Sequence, residues 1–144
     1  MKTFFIARLT ILIILMTALW ASPPPSIDVL KAKAQQAQDG ERGRLYAEVA
    51  RELVEVADRQ YISGDVDRAE NTVREIVDYA SKARESLRAS KKKLKETEIL
   101  LRKSQRRLED MRRTLAASDQ PKVQEAVGKL EIIRRQLLDQ MFSH

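Results

Sequence analysis

The sequence predicts an all-α fold of long helical hairpins that share a central helix of about 50 residues, in a coiled-coil-like three-helix arrangement. Three observations carry that expectation. Charged residues make up 33% of the 144-residue chain and aromatics only 5%, with four Gly and four Pro, a mix that favours long exposed helices over a thick globular core. Beyond the N-terminal segment, few strand-like runs of β-branched or aromatic residues occur. From Val66 onward, apolar and small residues recur every three to four positions for about fifty residues.

Residues 1–21, MKTFFIARLTILIILMTALWA, open with Lys2 and Arg8 and run into an apolar stretch, 9–20, broken only by Thr10 and Thr17. Ala21 offers a small residue for cleavage ahead of Ser22. That layout is a secretory signal peptide, and it predicts a periplasmic or secreted protein. The alternative is an uncleaved inner-membrane anchor. A span needs about 20 apolar residues, and residues 9–21 supply thirteen before Arg8 interrupts. The absence of cysteine excludes a lipid-anchored form. Residues 22–26 (Ser22-Pro23-Pro24-Pro25-Ser26) form a stiff extended spacer, because three prolines cannot sit inside a helix.

A single elongated helical domain is expected over residues 27–142, with helices at about 27–38, 41–62, 66–117 and 120–142. Ser26 is placed to cap the first helix, with Asp28 in its first turn. Gly40 and Gly43 interrupt as a bend. In the next helix Leu45, Val49, Leu53, Val56 and Gln60 follow one face, widened by Ala50, Ala57 and Tyr61. Ser63-Gly64-Asp65 is a turn, with Gly64 in a left-handed position and Asp65 capping the helix that follows. Leu53, Ala57, Tyr61, Gly64, Asp65 and Ala69 together resemble one degenerate copy of the helix-turn-helix core of a tetratricopeptide repeat, over about residues 50–78. The resemblance implies a helical hairpin there; the rest of the chain resembles no family.

In the helix at 66–117, one heptad position carries Leu87, Leu94, Leu101, Leu108 and Leu115, while the alternate position holds Ser90, Thr97 and Ser104. Sustained heptads specify a helix seam. Unbroken, this helix would be about 75 Å long. Its small alternate residues suit packing on a helix of the same chain at least as well as parallel self-association. Asp119 and Pro121 then open the last helix, whose stripe is Val123, Ala126, Val127, Leu130, Ile133, Leu137 and Met141, with Arg134 as a polar intruder. Short loops imply antiparallel neighbours. The last helix should therefore fold back on residues 95–117, and the helix at 41–62 on residues 66–90. Ile99, Leu100, Ile132, Leu138 and Phe142 fall off these stripes, either packing where the hairpins overlap or leaving an apolar strip for a partner.

Charge is segregated. Residues 38–78 hold eleven acids and six bases, whereas residues 82–113 hold thirteen bases and five acids, a net of +8. The densest bases are Lys91, Lys92, Lys93 and Lys95, then Arg102, Lys103, Arg106 and Arg107. Glu98 and Glu109 stand at i,i+4 to Arg102 and Arg113, but most of these bases lack such a neighbour. A ridge of this kind attracts anionic envelope polymers or lipid head groups. No stacking aromatics interleave it, and an exported protein is not expected to meet nucleic acid.

Catalytic and metal chemistry find no foothold. Cysteine is absent, the one histidine is the terminal His144, and no Gly-rich phosphate loop, nucleophile elbow or EF-hand loop occurs. No cofactor, metal or catalytic residue is expected. The expected function is that of an exported, non-enzymatic helical interaction or scaffold protein, acting through its long amphipathic helix on a protein partner or on itself. The alternatives are a periplasmic holdase-type chaperone or binder of anionic envelope polymers through the ridge at 82–113, and a membrane-tethered coiled-coil stalk. Membrane contact is expected only through the leader.

Overall fold

The computed structural model describes residues 26–143, in which five α-helices and no strand occur. The expected leader at 1–21, most of the spacer, and His144 lie outside the described residues. Helix α1 (Ile27–Gln36) begins where Ser26 Oγ accepts a hydrogen bond from the Val29 N–H at 3.3 Å. It buries Leu30 and Ala34 and packs on α2 (Asp39–Ile62). Arg42 fixes the corner between them: its Nε donates to the carbonyls of Ala34 (3.3 Å) and Ala37 (3.1 Å) at the end of α1, where the Ala34 oxygen also accepts from the Ala37 N–H. Lys82 lies over the paired rings of Tyr46 and Tyr79, and Lys31 over Tyr79, where α1, α2 and α3 meet.

Gly40 and Gly43 do not make the bend. The chain turns at Ala37 and Gln38, which are extended, and both glycines are buried in the opening turns of α2. Their role is close approach. A Cβ on Gly43 would lie 2.7 Å from Leu87 Cγ and 2.9 Å from the Ala83 carbonyl, and one on Gly40 would lie 2.8 Å from the Lys92 carbonyl.

The turn to α3 (Val66–Ser86) follows expectation, with Gly64 at φ 80°. Asp65 occupies the N-cap position without a side-chain capping bond, as does Asp119 before the last helix. The stripe of α2 is buried apart from Val56 and Gln60, and Ala47 and Val54 join it. The buried face is wider than one stripe because α2 packs on α1, α3 and α4 at once.

The expected helix at 66–117 is broken. After α3 ends at Ser86, residues 87–93 cross the end of the molecule before α4 (Leu94–Thr114) begins. Tertiary contacts enforce the break. The Gln140 side-chain amide donates to the carbonyls of Leu87 (2.6 Å), Arg88 (3.4 Å) and Ser90 (3.4 Å), supplying at the end of α3 the donors that a continuing helix would have supplied. Lys93 completes the crossing at φ 68°. A 3-10 turn (Ala117–Asp119) then leads to α5 (Gln120–Phe142), with Pro121 in its first turn.

The result is a four-helix bundle flanked by α1, in place of the expected three-helix arrangement. The α2–α3 and α4–α5 hairpins lie side by side, with α2 against α4 and α3 against α5. Helices α2 and α4 run parallel, since Gly40 lies beside Lys92 at one end and Glu55 and Asp58 meet Arg107 towards the other. The core between the hairpins is filled by Val49, Val54, Ile76, Leu87, Leu101, Leu108, Met111, Leu130 and Leu137. Four of the five seam leucines, Leu87, Leu94, Leu101 and Leu108, are buried with Thr97 and Ser104, while Leu115 is half-buried at the end of α4. Of the off-stripe residues, Leu100 packs on the core, Ile99 and Leu138 are half-buried, and Ile132 and Phe142 are exposed. No helix among the described residues is long and apolar enough to cross a membrane.

Candidate anion-binding site

Helical periodicity places Lys95, Arg102, Arg106 and Arg113 on one outward face of α4, because steps of seven, four and seven residues return to the same side. Where that face meets α5, a surface cleft of about 390 Å³ is lined by Arg102, Arg106, Arg113 and Arg134, with Gln105 and the carboxylates of Glu109 and Asp110. Arg134, the intruder in the α5 stripe, is anchored at the base. Its guanidinium donates to Glu98 Oε1 at 3.0 and 2.7 Å and to Gln105 Oε1 at 2.7 Å. Glu98 is only 5% exposed and needs that partner, since a lone buried charge is costly.

The ridge predicted from sequence divides into three groups. Lys91, Lys92 and Lys93 fall on the linker between α3 and α4, and of these Lys93 pairs with Glu96 at 3.1 Å. Arg107 faces inward to α2, where it bonds Glu55 at 3.0 Å and Asp58 at 2.7 Å. The bond from Glu55 comes first in holding its guanidinium above its usual pKa. Arg107 therefore ties the hairpins together and leaves the ridge. Arg102 stands 3.8 Å from Glu98, which Arg134 already engages. Lys91, Lys92, Lys95, Lys103 and Arg106 have no ion pair with any described residue.

Nearby, Arg112 pairs with Glu109 at 2.6 Å, and its hydrogen bond chiefly holds that carboxyl below the usual carboxylate range. Glu109 thus serves Arg112 first and Arg113 at 4.0 Å, which leaves Arg106 the freest charge of the cleft. Sequence reasoning missed Arg134 and Gln105. The signal for Arg134 was its place in an apolar stripe, where a charge needs a buried partner. A second cleft, of about 260 Å³ between α3 and α5, balances Glu70, Asp78 and Glu125 against Arg74, Lys122 and Lys129 and has no excess of either sign. Among the described residues no group of three His, Cys, Asp or Glu side chains is placed to hold a metal ion.

Residues 25–100, just over half of the chain, match the family of the ketopantoate reductase PanE/ApbA C-terminal domain. No curated protein and no solved structure matches. The family match overturns the tetratricopeptide resemblance at residues 50–78, which it spans. Buried Leu53, Ala57, Tyr61 and Ala69, with Gly64 at positive φ, are what any tight helical hairpin requires, so they do not identify a repeat. The matched residues end early in α4, and the arginines of the cleft lie beyond them.

Proposed function

This chain belongs to the family of ketopantoate reductase PanE/ApbA C-terminal domains, and from that premise we propose that it uses its helical domain as an exported binding module without catalysis of its own. Its ligand is an anionic, phosphate-bearing polymer or lipid head group of the cell envelope, held against the outward face of α4. The observation that carries this reading is the set of bases, Lys95, Lys103 and Arg106 of α4 with Lys91 and Lys92 of the linker at its N-terminal end, that meet no acid among the described residues. Unneutralised charge of one sign on a rigid helix attracts the opposite charge over about a Debye length. The leucine seam offers less to a partner, because Leu87, Leu94, Leu101 and Leu108 already fill the core. The apolar N-terminal run supports export and so favours envelope ligands.

The test is binding of inorganic polyphosphate and of phosphatidylglycerol vesicles to the full chain at low and high salt. Wild type should bind, and affinity should fall steeply as salt rises. Arg102→Gln with Arg106→Gln should weaken binding by about tenfold or more without loss of helicity. Equal binding by that variant, or binding indifferent to salt, would sink the proposal.

A second reading takes its support from the family match alone: the chain serves the reduction of ketopantoate as the helical part of an enzyme. Catalysis needs groups that converge where water is excluded, whereas both clefts among the described residues are lined by charged side chains at the surface. Calorimetric titration with ketopantoate separates the two readings, since saturable binding at physiological salt would favour the enzyme.

A further inference from the structure

We infer that the segment 87–93 is a hinge through which two copies of this chain exchange their α4–α5 hairpins, α3 and α4 joining into one continuous helix. Three observations converge on it. First, the linker Leu87-Arg88-Ala89-Ser90-Lys91-Lys92-Lys93 contains neither Gly nor Pro, so its residues favour helix over the path they take. Lys93 is the one described non-glycine residue held at positive φ, at 68°, a conformation in which the Cβ crowds the following carbonyl.

Second, the heptad phase runs through the break. Leu87 and Leu94 are seven residues apart, on either side of the linker, and both are core residues in the closed form, at 0% and 3% exposed. A straight helix from α3 to α4 keeps them on one face, and the same seam then continues through Leu101 and Leu108. Third, the ties of residues 88–93 to other helices are polar and peripheral: the Gln140 amide donates to the Arg88 and Ser90 carbonyls, and Gly40 lies close to Lys92. Leu87 itself is fully buried against Gly43, and within the linker the Ser90 N–H donates to the Leu87 carbonyl and the Lys92 N–H to Ser90 Oγ, both at 3.2 Å.

Exchange preserves the packing of α2 on α4 and of α3 on α5, because the α4–α5 pair of one copy takes the place of that pair in the other, while the Gln140 bonds to the linker carbonyls give way to those of the continuous helix. Only the hinge changes, which is why strained short hinges favour this route to a dimer. The opposing force is charge. In the exchanged dimer the two linkers pass close to one another and bring Lys91, Lys92 and Lys93 of each copy together, so low salt and dilution keep the closed monomer.

Absence of native cysteine allows a direct test in the full chain. Glu55→Cys on α2 and Arg107→Cys on α4 replace residues that touch across the two hairpins, and a short bis-maleimide joins them after refolding at high protein and salt concentration. With Lys93→Gly added, which relieves the left-handed residue, the cross-link should fall within one chain. With Ser90→Ala and Lys93→Ala added instead, it should join two chains at twice the mass, with the dimer-to-monomer ratio raised at least about tenfold. Intrachain product from every variant at every concentration overturns the inference. So does a dimer whose cross-links remain intrachain, since that is side-by-side association.

Discussion

Tyr61 lies at the end of α2, 8% exposed, with a hydroxyl that finds no hydrogen-bond partner among the described residues. Burial first, then the carboxylates of Glu70 and Asp119, push its phenol up to about 12. In the unfolded chain the same phenol ionises near pH 10. Between those values the unfolded state holds fewer protons than the folded one, so stability falls as pH climbs from about 10 to about 12 and levels off beyond. Tyr61 alone should therefore cost about 1 kcal/mol by pH 11. Tyr61→Phe removes both the ionisation and the unpaired hydroxyl. It should leave the protein as stable as wild type or up to about 1 kcal/mol more stable at pH 7. The difference should widen at pH 11. Urea unfolding of both proteins at the two pH values checks this, and a gap that stays constant into alkali would mean the phenol is solvated. None of this was legible in the sequence, where Tyr61 was one more apolar residue widening a stripe, because an unpaired hydroxyl is a property of three-dimensional surroundings.

At the scale of the element, two glycines with similar local sequence signals do opposite work. Gly43 in α2 sits where a Cβ would meet Leu87 Cγ at 2.7 Å and a backbone carbonyl at 2.9 Å, whereas Gly128 in α5 has nothing within 4 Å of that position. Gly43→Ala must push α2 away from α3 and should cost at least about 2 kcal/mol. Gly128→Ala meets open space in a helix interior and should stabilise by about 0.5–1 kcal/mol. Thermal melts of the two variants should move in opposite directions; a shared direction would mean the α2–α3 crossing is looser than these distances state. The same contrast explains what could be read in advance. The apolar stripes marked the buried faces of α2, α3 and α5, because burial on one face follows from period alone, but not where α3 ends. The break at 87–93 escaped because its cause lies elsewhere in the chain: Gly40 and Gly43 admit the linker, and Gln140, about fifty residues away, caps it. A heptad counts positions and has no knowledge of such partners.

For the whole molecule, charge segregation was visible as composition, but its resolution into ties and free charges was not. Arg107 is consumed by Glu55 and Asp58, and Arg134 by Glu98, across 49–52 and 36 positions respectively. Those pairings depend on how the two hairpins dock, which the linker decides. The docking also sets the folding unit, and here the family match and the physics divide the chain differently. The match stops at residue 100, early in α4. A chain ending there retains α1, α2 and α3 but loses Leu101, Leu108, Met111, Val123, Leu130 and Leu137, all buried in the bundle. At about 1.5–3 kcal/mol for each large apolar side chain, the lost burial is on the order of 10 kcal/mol, comparable with the whole stability of a domain this size. Truncation also exposes the faces of α2 and α3 that pack on α4 and α5, and it leaves Glu55 and Asp58 without Arg107. A fragment ending at residue 100 should therefore show reduced helicity per residue and no cooperative thermal transition, while the full chain melts in one step. Addition of a separate fragment carrying residues 101–144 would not restore the fold efficiently, since the cut falls inside α4. A cooperative melt of the shorter fragment would place the folding unit within the family match and make the α4–α5 hairpin an appendage. The core residues argue for the opposite order: the second hairpin completes the domain, and the basic face it carries is presented on the same rigid body.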